Sequence, residues 1–463
     1  MSRSTVPAVN THSDADDSSA PRSAAASPVA ARIVSVGDEL LSGDTVNTNA
    51  TAMAEACRRL GVVVEQVVTV RDRIEEIVAA VQGAAGSADV CFVSGGLGPT
   101  TDDRTTEAVA AAAGVEVIRD AAALARIEGK FAAMGYTMAP MNAKQADFPA
   151  GATIVPNPIG TAEGYVVPVA GCPVFVTPGV PREMKKMFAE QITPQLRERF
   201  ALQAVPRRMY RALGRGESSL AKVVEPIVEA ARGRSPGLAS VFVHYRASTP
   251  EVLVILEGTA GTSGQAATHE ELESLDAEIA AAMEPALYGI GEDTLPARVV
   301  EALRAAGLTL CVAESCTAGG TGRTVTSVPG SSAVFVGGVV AYSNALKTAL
   351  LGVDEALLEA HGAVSEPVAK AMAEGARAAT RSDLCVAITG IAGPGGGSAE
   401  KPVGTVHIDV FDGEAHLHKK LKLRGNRGTV RHCAELWALK LVWDRLHVRG
   451  LASVHPAGLP AGT

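Results

Sequence analysis

From Ala31 onward, short continuous apolar runs alternate with segments whose apolar residues recur every three or four positions. Arg32 to Val36 reads as a buried strand entering a glycine turn. The stretch from Ser42 to Leu60 has helical spacing, Val62 to Val70 reads as a strand, Ile74 to Gln82 as a helix and Val90 to Val93 as a strand. Alternation of this kind predicts βαβ units and a parallel sheet covered on both faces. The pattern changes near Ala201. A strand around Arg208-Met209-Tyr210 precedes an amphipathic helix from Glu217 to Ala230. Two apolar runs, 241–246 and 251–257, flank Ser248-Thr249-Pro250 as an antiparallel hairpin, and a helix from His269 to Met283 closes a small α+β module. Further on, Leu308 to Ala313 predicts a strand whose glycine-rich turn opens a helix. Leu384 to Ile388 predicts a strand that runs into a loop with Gly390, Gly393, Gly395, Gly396 and Gly397.

A chain of 463 residues is too long for one ordinary domain. The expected division is a tail at 1–30, an α/β domain at 31–200, the α+β module at 201–287, a second α/β domain at 288–447 and a tail at 448–463. Residues 1–28, rich in Ser, Ala, Asp and Pro, cannot bury enough apolar surface to order themselves. The net charge of −8 speaks against a general nucleic-acid binder. The uncharged runs 164–181 and 324–346 carry prolines or a polar pair that exclude spanning helices, so no membrane partner is expected. No basic segment followed by an apolar one marks the N-terminus as a secretory signal. The seven scattered cysteines lack a C-x-x-C pair and read as reduced thiols of a cytoplasmic protein.

Two loops carry candidate chemistry. Ser315 stands at a strand-to-helix turn, where N–H groups of a helix start favour negative charge. A serine hydroxyl needs a base, no histidine is near in sequence, and Lys347 is the available one if apolar surroundings lower its pKa. Cys316, also at the helix start, is the rival nucleophile. In the other loop Gly95, Gly96 and Gly98 can cradle phosphate, and Thr100 or Thr101 can cap the next helix. Asp102 and Asp103 read either as hard ligands for a divalent cation or as complements to a helix dipole, with Glu39 and Asp44 as further acidic candidates.

The motifs A-E-S-C-T-A-G-G, P-G-S-S-A-V-F-V-G-G-V-V-A-Y-S-N-A-L-K, H-G-A-V-S-E and T-G-I-A-G-P-G-G-G-S-A-E-K-P-V-G-T-V resemble the C-terminal domain of the competence-damage-inducible protein A (CinA) family, from about Leu295 to Leu446. The resemblance implies nicotinamide mononucleotide (NMN) deamidation, with no cofactor for that step. Ser315 would be the nucleophile and Lys347 its base, while Ser332, Tyr342 and Thr389 would orient the amide or oxyanion. Arg427 would hold the phosphate, and Glu314, Thr317, Ser331, Asn344, Gly390 and Gly393 would line the substrate. One departure is Ala318, where the family usually has glycine.

V-G-D-E-L-L-S-G-D-T-V-N-T-N-A, S-G-G-L-G-P-T-T-D-D and T-P-G-V-P-R-E-M resemble the family's N-terminal domain from Ala31 to Leu196, similar to a three-layer α/β/α molybdopterin-binding fold. That implies either hydrolysis of ADP-ribose with Mg, Mn or Co, or pterin binding. Asp38, Asn47 and Ala143 depart from the usual threonine, aspartate and arginine. The α+β module falls where the family has a KH-like domain, but Gly214-Arg215-Gly216-Glu217 has the wrong spacing for a G-x-x-G loop and carries an acid, so the module reads as a spacer or dimerisation element. The expected partners are small nucleotide substrates and a second copy of the chain. The alternative is a binding protein without catalysis, linked to competence or DNA damage.

Overall fold

The computed structural model describes residues 29–202, 204–258 and 266–454, so most of both expected tails lies outside the described residues. The chain forms two compact units, 1–205 and 206–463.

In the first unit, β1 (Ala30–Val36), α1 (Thr48–Arg59), β2 (Val63–Val70), α2 (Ile74–Ala85), β3 (Val90–Ser94), α3 (Thr105–Ala113) and α4 (Ala121–Ala133) follow one another. β4 (Thr153–Val155), β5 (Gly164–Val169), β6 (Cys172–Thr177) and α5 (Pro181–Met187) complete it. The sheet order is β2-β1-β3-β6-β5-β4. β2, β1, β3 and β6 are parallel, as the alternation predicts, but β5 is reversed and pairs antiparallel with both β6 and β4. The chain there passes through Ala170-Gly171, both at positive φ, a tight turn with no room for a crossover helix. Ile33, Phe92 and Phe175 face α1 and α5, whereas Val34, Val93 and Val176 face α2 and α3, which gives three layers.

The second unit opens with β7 (Arg207–Leu213), α6 (Glu217–Ala231), β8 (Val241–Ser248), β9 (Glu251–Gly258), α7 (His269–Glu273), α8 (Asp276–Met283) and β10 (Leu287–Ile290). Its strands form an antiparallel sheet in the order β8-β9-β7-β10. The helix expected over 269–283 is two helices. Thr268 and Glu271 close a capping box on the first, and Asp276 turns inward at the start of the second to meet Arg208 (2.9 Å) and the Tyr210 hydroxyl (2.9 Å).

There follow α9 (Leu295–Ala306), β11 (Leu310–Glu314), α10 (Gly320–Thr326), β12 (Phe335–Val340), α11 (Asn344–Leu351), α12 (Glu366–Thr380), β13 (Leu384–Gly390), β14 (Thr405–Phe411), β15 (His416–Lys422) and α13 (Arg427–Val448). The sheet order is β12-β11-β13-β14-β15, parallel across the first three strands and antiparallel beyond. Leu310, Val312, Val386 and Ile408 pack on one face with α9 and α13. Cys311, Ala313 and Ala387 pack on the other with Met372 and Ala376 of α12. The carboxyl ends of β11 and β13 therefore meet between two helical layers, the usual place for a ligand in an open α/β sheet.

Candidate functional site

Ser315 follows the last residue of β11, and its own N–H donates to the Ile388 carbonyl of β13 (2.9 Å). The backbone under the hydroxyl is thereby tied to the neighbouring strand. Its side chain is buried, and Lys347 Nζ lies 3.1 Å from its Oγ. Lys347 sits in the first turn of α11, where Ser343 caps the Leu346 N–H (3.2 Å). Its amine also reaches the carbonyls of Ala341 (3.0 Å) and Tyr342 (3.3 Å). Burial lowers the Lys347 pKa below the ordinary lysine value, opposed by charge on Cys316. A neutral amine has two N–H bonds and one lone pair. With both N–H groups on the two carbonyls, the lone pair faces the Ser315 hydroxyl, the arrangement a general base requires.

Cys316 does not share this setting. It packs into the apolar core, and burial pushes its thiol up to about 12. The helix-start environment expected to depress it is absent because Glu314 has occupied that helix start. Glu314 is fully buried, and its carboxylate accepts N–H bonds from Gly319 (2.9 Å), Thr321 (3.1 Å) and Gly322 (2.9 Å). It holds the turn rather than lining the substrate. In the turn after Ser315, the main-chain N–H groups of Thr317 and Ala318 are left without an acceptor among the described residues, and that of Cys316 lies against its own sulfur.

The structure brings Tyr342, Gly393 and Arg427 to the same end of the sheet. Arg427 donates to the Gly393 carbonyl (2.8 Å) and to the Tyr342 hydroxyl (3.0 Å), leaving an exposed guanidinium at the rim. Thr317 is fully buried beside Ser315, with its hydroxyl unpaired. Asn344 is exposed at the start of α11. Gly390 ends β13, where a Cβ would stand 2.7 Å from Val406 Cγ2. Thr389 is buried and donates to the Ala363 carbonyl (2.8 Å), which anchors the loop before α12 instead of presenting a hydroxyl to a ligand.

Ser331 and Ser332 are elsewhere. α10 carries the chain back along the sheet, so Phe335 pairs with Leu310 and Val340 with Glu314. The two serines therefore precede the amino end of β12, roughly 13 Å or more along the strands from Ser315 at about 3.3 Å per residue. They do not reach the amide from within the same chain. Arg431, which sequence reasoning missed, donates from Nη2 to the Thr317 carbonyl (2.7 Å). Its spacing of four from Arg427 on a helix was the available signal.

In the first unit, Gly95 and Gly96 have φ of 113° and 66°. A Cβ on either would stand 2.2 Å from Val36 O or Thr105 Oγ1, so this loop has room only for glycine. Asp103 accepts from the N–H groups of Gly98 (2.7 Å) and Thr100 (2.9 Å) and from the Thr100 hydroxyl. Thr100 therefore closes the loop and does not cap the helix, which starts at Thr105 after an uncapped Arg104. Lys144 fixes the same loop through the Asp103 carbonyl (2.6 Å). Asp102, Glu39 and Asp44 are exposed, and Asp44 accepts from Ser42 (2.6 Å). The Thr100 hydroxyl holds the Asp102 carboxyl below its ordinary pKa. Asp72, which the sequence did not single out, is raised by burial first and then by Asp38, Glu39 and Asp102. Among the described residues no three His, Cys, Asp or Glu side chains converge to hold a metal ion. The carboxylates present do not fit a divalent centre. Asn47 caps α1 by accepting the Ala50 N–H (3.1 Å), a role its amide oxygen fills as well as a carboxylate would.

The fold and these loops define a protein of two α/β units, one with a glycine loop at the carboxyl ends of its strands and the other with a buried serine–lysine pair at the same place. Residues 32–198 match the probable molybdopterin binding domain, and residues 292–446 match the CinA C-terminal domain. The CinA-like protein of Parasynechococcus marenigrum is 42% identical over 424 residues, covering 91% of this chain and 98% of that protein. The CinA-like protein of an Anaeromyxobacter species is 41% identical, with 90% and 98% covered. The chain belongs to the CinA family. Among solved structures, the competence/damage inducible protein CihA from Agrobacterium tumefaciens is 39% identical and covers 34% of this chain and 93% of its own, with a TM-score of 0.32. The protein CinA from Thermoplasma acidophilum is 36% identical, with 36% and 98% covered and a TM-score of 0.34. Among the described residues no helix is long and apolar enough to cross a membrane.

Proposed function

We propose that the second unit is an amidohydrolase that converts the carboxamide of NMN to the carboxylate with release of ammonia. The observation that carries this reading is the 3.1 Å approach of a buried Lys347 Nζ, its pKa lowered, to the Ser315 hydroxyl. Neutral Lys347 takes the Ser315 proton as Oγ bonds to the amide carbon, and the resulting oxyanion meets the free N–H groups of the 316–318 turn. Lys347 then returns the proton to the leaving nitrogen, and ammonia departs. Water adds to the acyl-serine with Lys347 again as base, releasing the acid and the serine. Arg427 and Tyr342 at the rim supply a cation and a hydroxyl suited to the ribose phosphate. The test is incubation of the full chain with NMN and detection of ammonia; its absence at saturating substrate would overturn the reading.

For the first unit, cleavage of the ADP-ribose pyrophosphate is the second reading, and the loop of Gly95 and Gly96, which has room only for glycine, supports a phosphate seat there. AMP release from ADP-ribose with Mg²⁺, Mn²⁺ or Co²⁺ tests it, and the absence of AMP with each ion would leave only binding.

A further inference from the structure

We infer that Arg431 is a positioning residue for the serine, acting through the turn that follows it. The inference rests on the deamidase reading. Three sets of bonds fix residues 315–322. Ser315 N–H is held by Ile388, Glu314 takes the N–H groups of Gly319, Thr321 and Gly322, and the Thr317 carbonyl accepts from Gly320 N–H (3.2 Å) and Arg431 Nη2 (2.7 Å). The first two sets lie on either side of the segment 316–318. Among the described residues, only the bonds to Thr317 O act inside it, and Arg431 makes the one that comes from another element.

The Thr317 carbonyl shares its peptide plane with the Ala318 N–H, so a carbonyl held towards α13 keeps that N–H from rotating back to bond within the turn. That matters because an oxyanion donor is useful only when it is aimed in advance and unclaimed. Ala318, at φ 52°, makes the turn less willing to hold its shape unaided. The Arg431 Nε is itself buried without a hydrogen-bond partner, so among the described residues the bond to Thr317 is the hydrogen bond this side chain makes.

The experiment uses the full chain and two readouts: steady-state NMN deamidation, and the rate at which a small fluorophosphonate labels Ser315. In labelling, Oγ bonds to phosphorus, fluoride leaves with the P–F pair and Lys347 takes the serine proton, so the measurement needs the same N–H donors but not the nucleotide. Arg431→Gln is expected to lower kcat and the labelling rate together by about 10- to 100-fold, with KM for NMN within about twofold. Arg431→Lys, which can still reach the carbonyl, is expected to recover part of both rates and serves if the Gln variant does not fold. Arg431→Gln that reacts with NMN and probe as fast as the wild type overturns the inference and leaves the deamidase reading standing. A wild type inert to both reagents overturns the reading and the inference with it. A rise in KM alone would assign Arg431 to the substrate and also overturn the positioning role.

Discussion

Lys347 Nζ and Ser315 Oγ are 3.1 Å apart, and the same nitrogen bonds two main-chain carbonyls. The base is thus oriented by backbone alone, without a third side chain. Deamidation should therefore rise with pH as a single group loses its proton, at an apparent pKa below the ordinary lysine value, and should stay level above it. For a lysine whose folded pKa is depressed, the unfolded chain binds more protons between the two values, so this group's contribution to stability also grows with pH in that window and is lost below it. Lys347→Met should lower kcat by about 100-fold or more across the accessible pH range. A wild-type profile in that variant, read by ammonia release, would place the base elsewhere.

Ser315→Ala should abolish turnover and leave thermal unfolding almost unchanged, since the lost hydroxyl carries little packing. Cys316→Ala should do the reverse. Its thiol is held near 12 and faces the core, so activity should stay within a few-fold while stability drops by about 1–2 kcal/mol from the cavity. Mass spectrometry of a trapped acyl-enzyme distinguishes the two residues directly.

Arg427 spans Tyr342 and Gly393 with an exposed guanidinium. Arg427→Ala should raise KM for NMN at least tenfold and have little effect on slow turnover of the nucleoside that lacks the phosphate. Equal losses on both substrates would show that Arg427 acts on the loop and not on the phosphate.

Ala318 occupies a left-handed conformation at φ 52° with its methyl exposed. The family's usual glycine is explained by backbone strain and not by crowding of the pocket. Ala318→Gly should stabilise the protein by about 0.5–1 kcal/mol, the left-handed penalty less the entropy glycine gains when unfolded. Chemical denaturation measures it, and a loss of stability would show that the methyl packs.

Much of this was legible in the chain. Continuous apolar runs located β1 to β3, and apolar spacing of three or four their helices; β1 and β3 are covered on both faces, while each helix buries one. β15 was not legible, since His416, His418, Lys419, Lys420 and Lys422 leave only Leu417 and Leu421 as apolar markers. The Ser315–Lys347 pair came from motif and spacing, and the structure places the two together. Ser331 and Ser332 were assigned by resemblance, and the reversal made by α10 sets them before the amino end of β12. Glu314 was assigned to the substrate by resemblance. Its actual partners are backbone N–H groups five to eight residues on, which no side-chain pattern records.

The carboxylate of Glu314 also bears on where a small anion can sit in the second unit. In many proteins the start of a helix after a strand welcomes sulfate, phosphate or any small oxyanion in the surrounding fluid. Here that seat is already taken from inside by a group that cannot diffuse away. Ambient salts thus have no foothold at that helix start, which leaves the N–H groups of the 316–318 turn as the anion seat beside the serine.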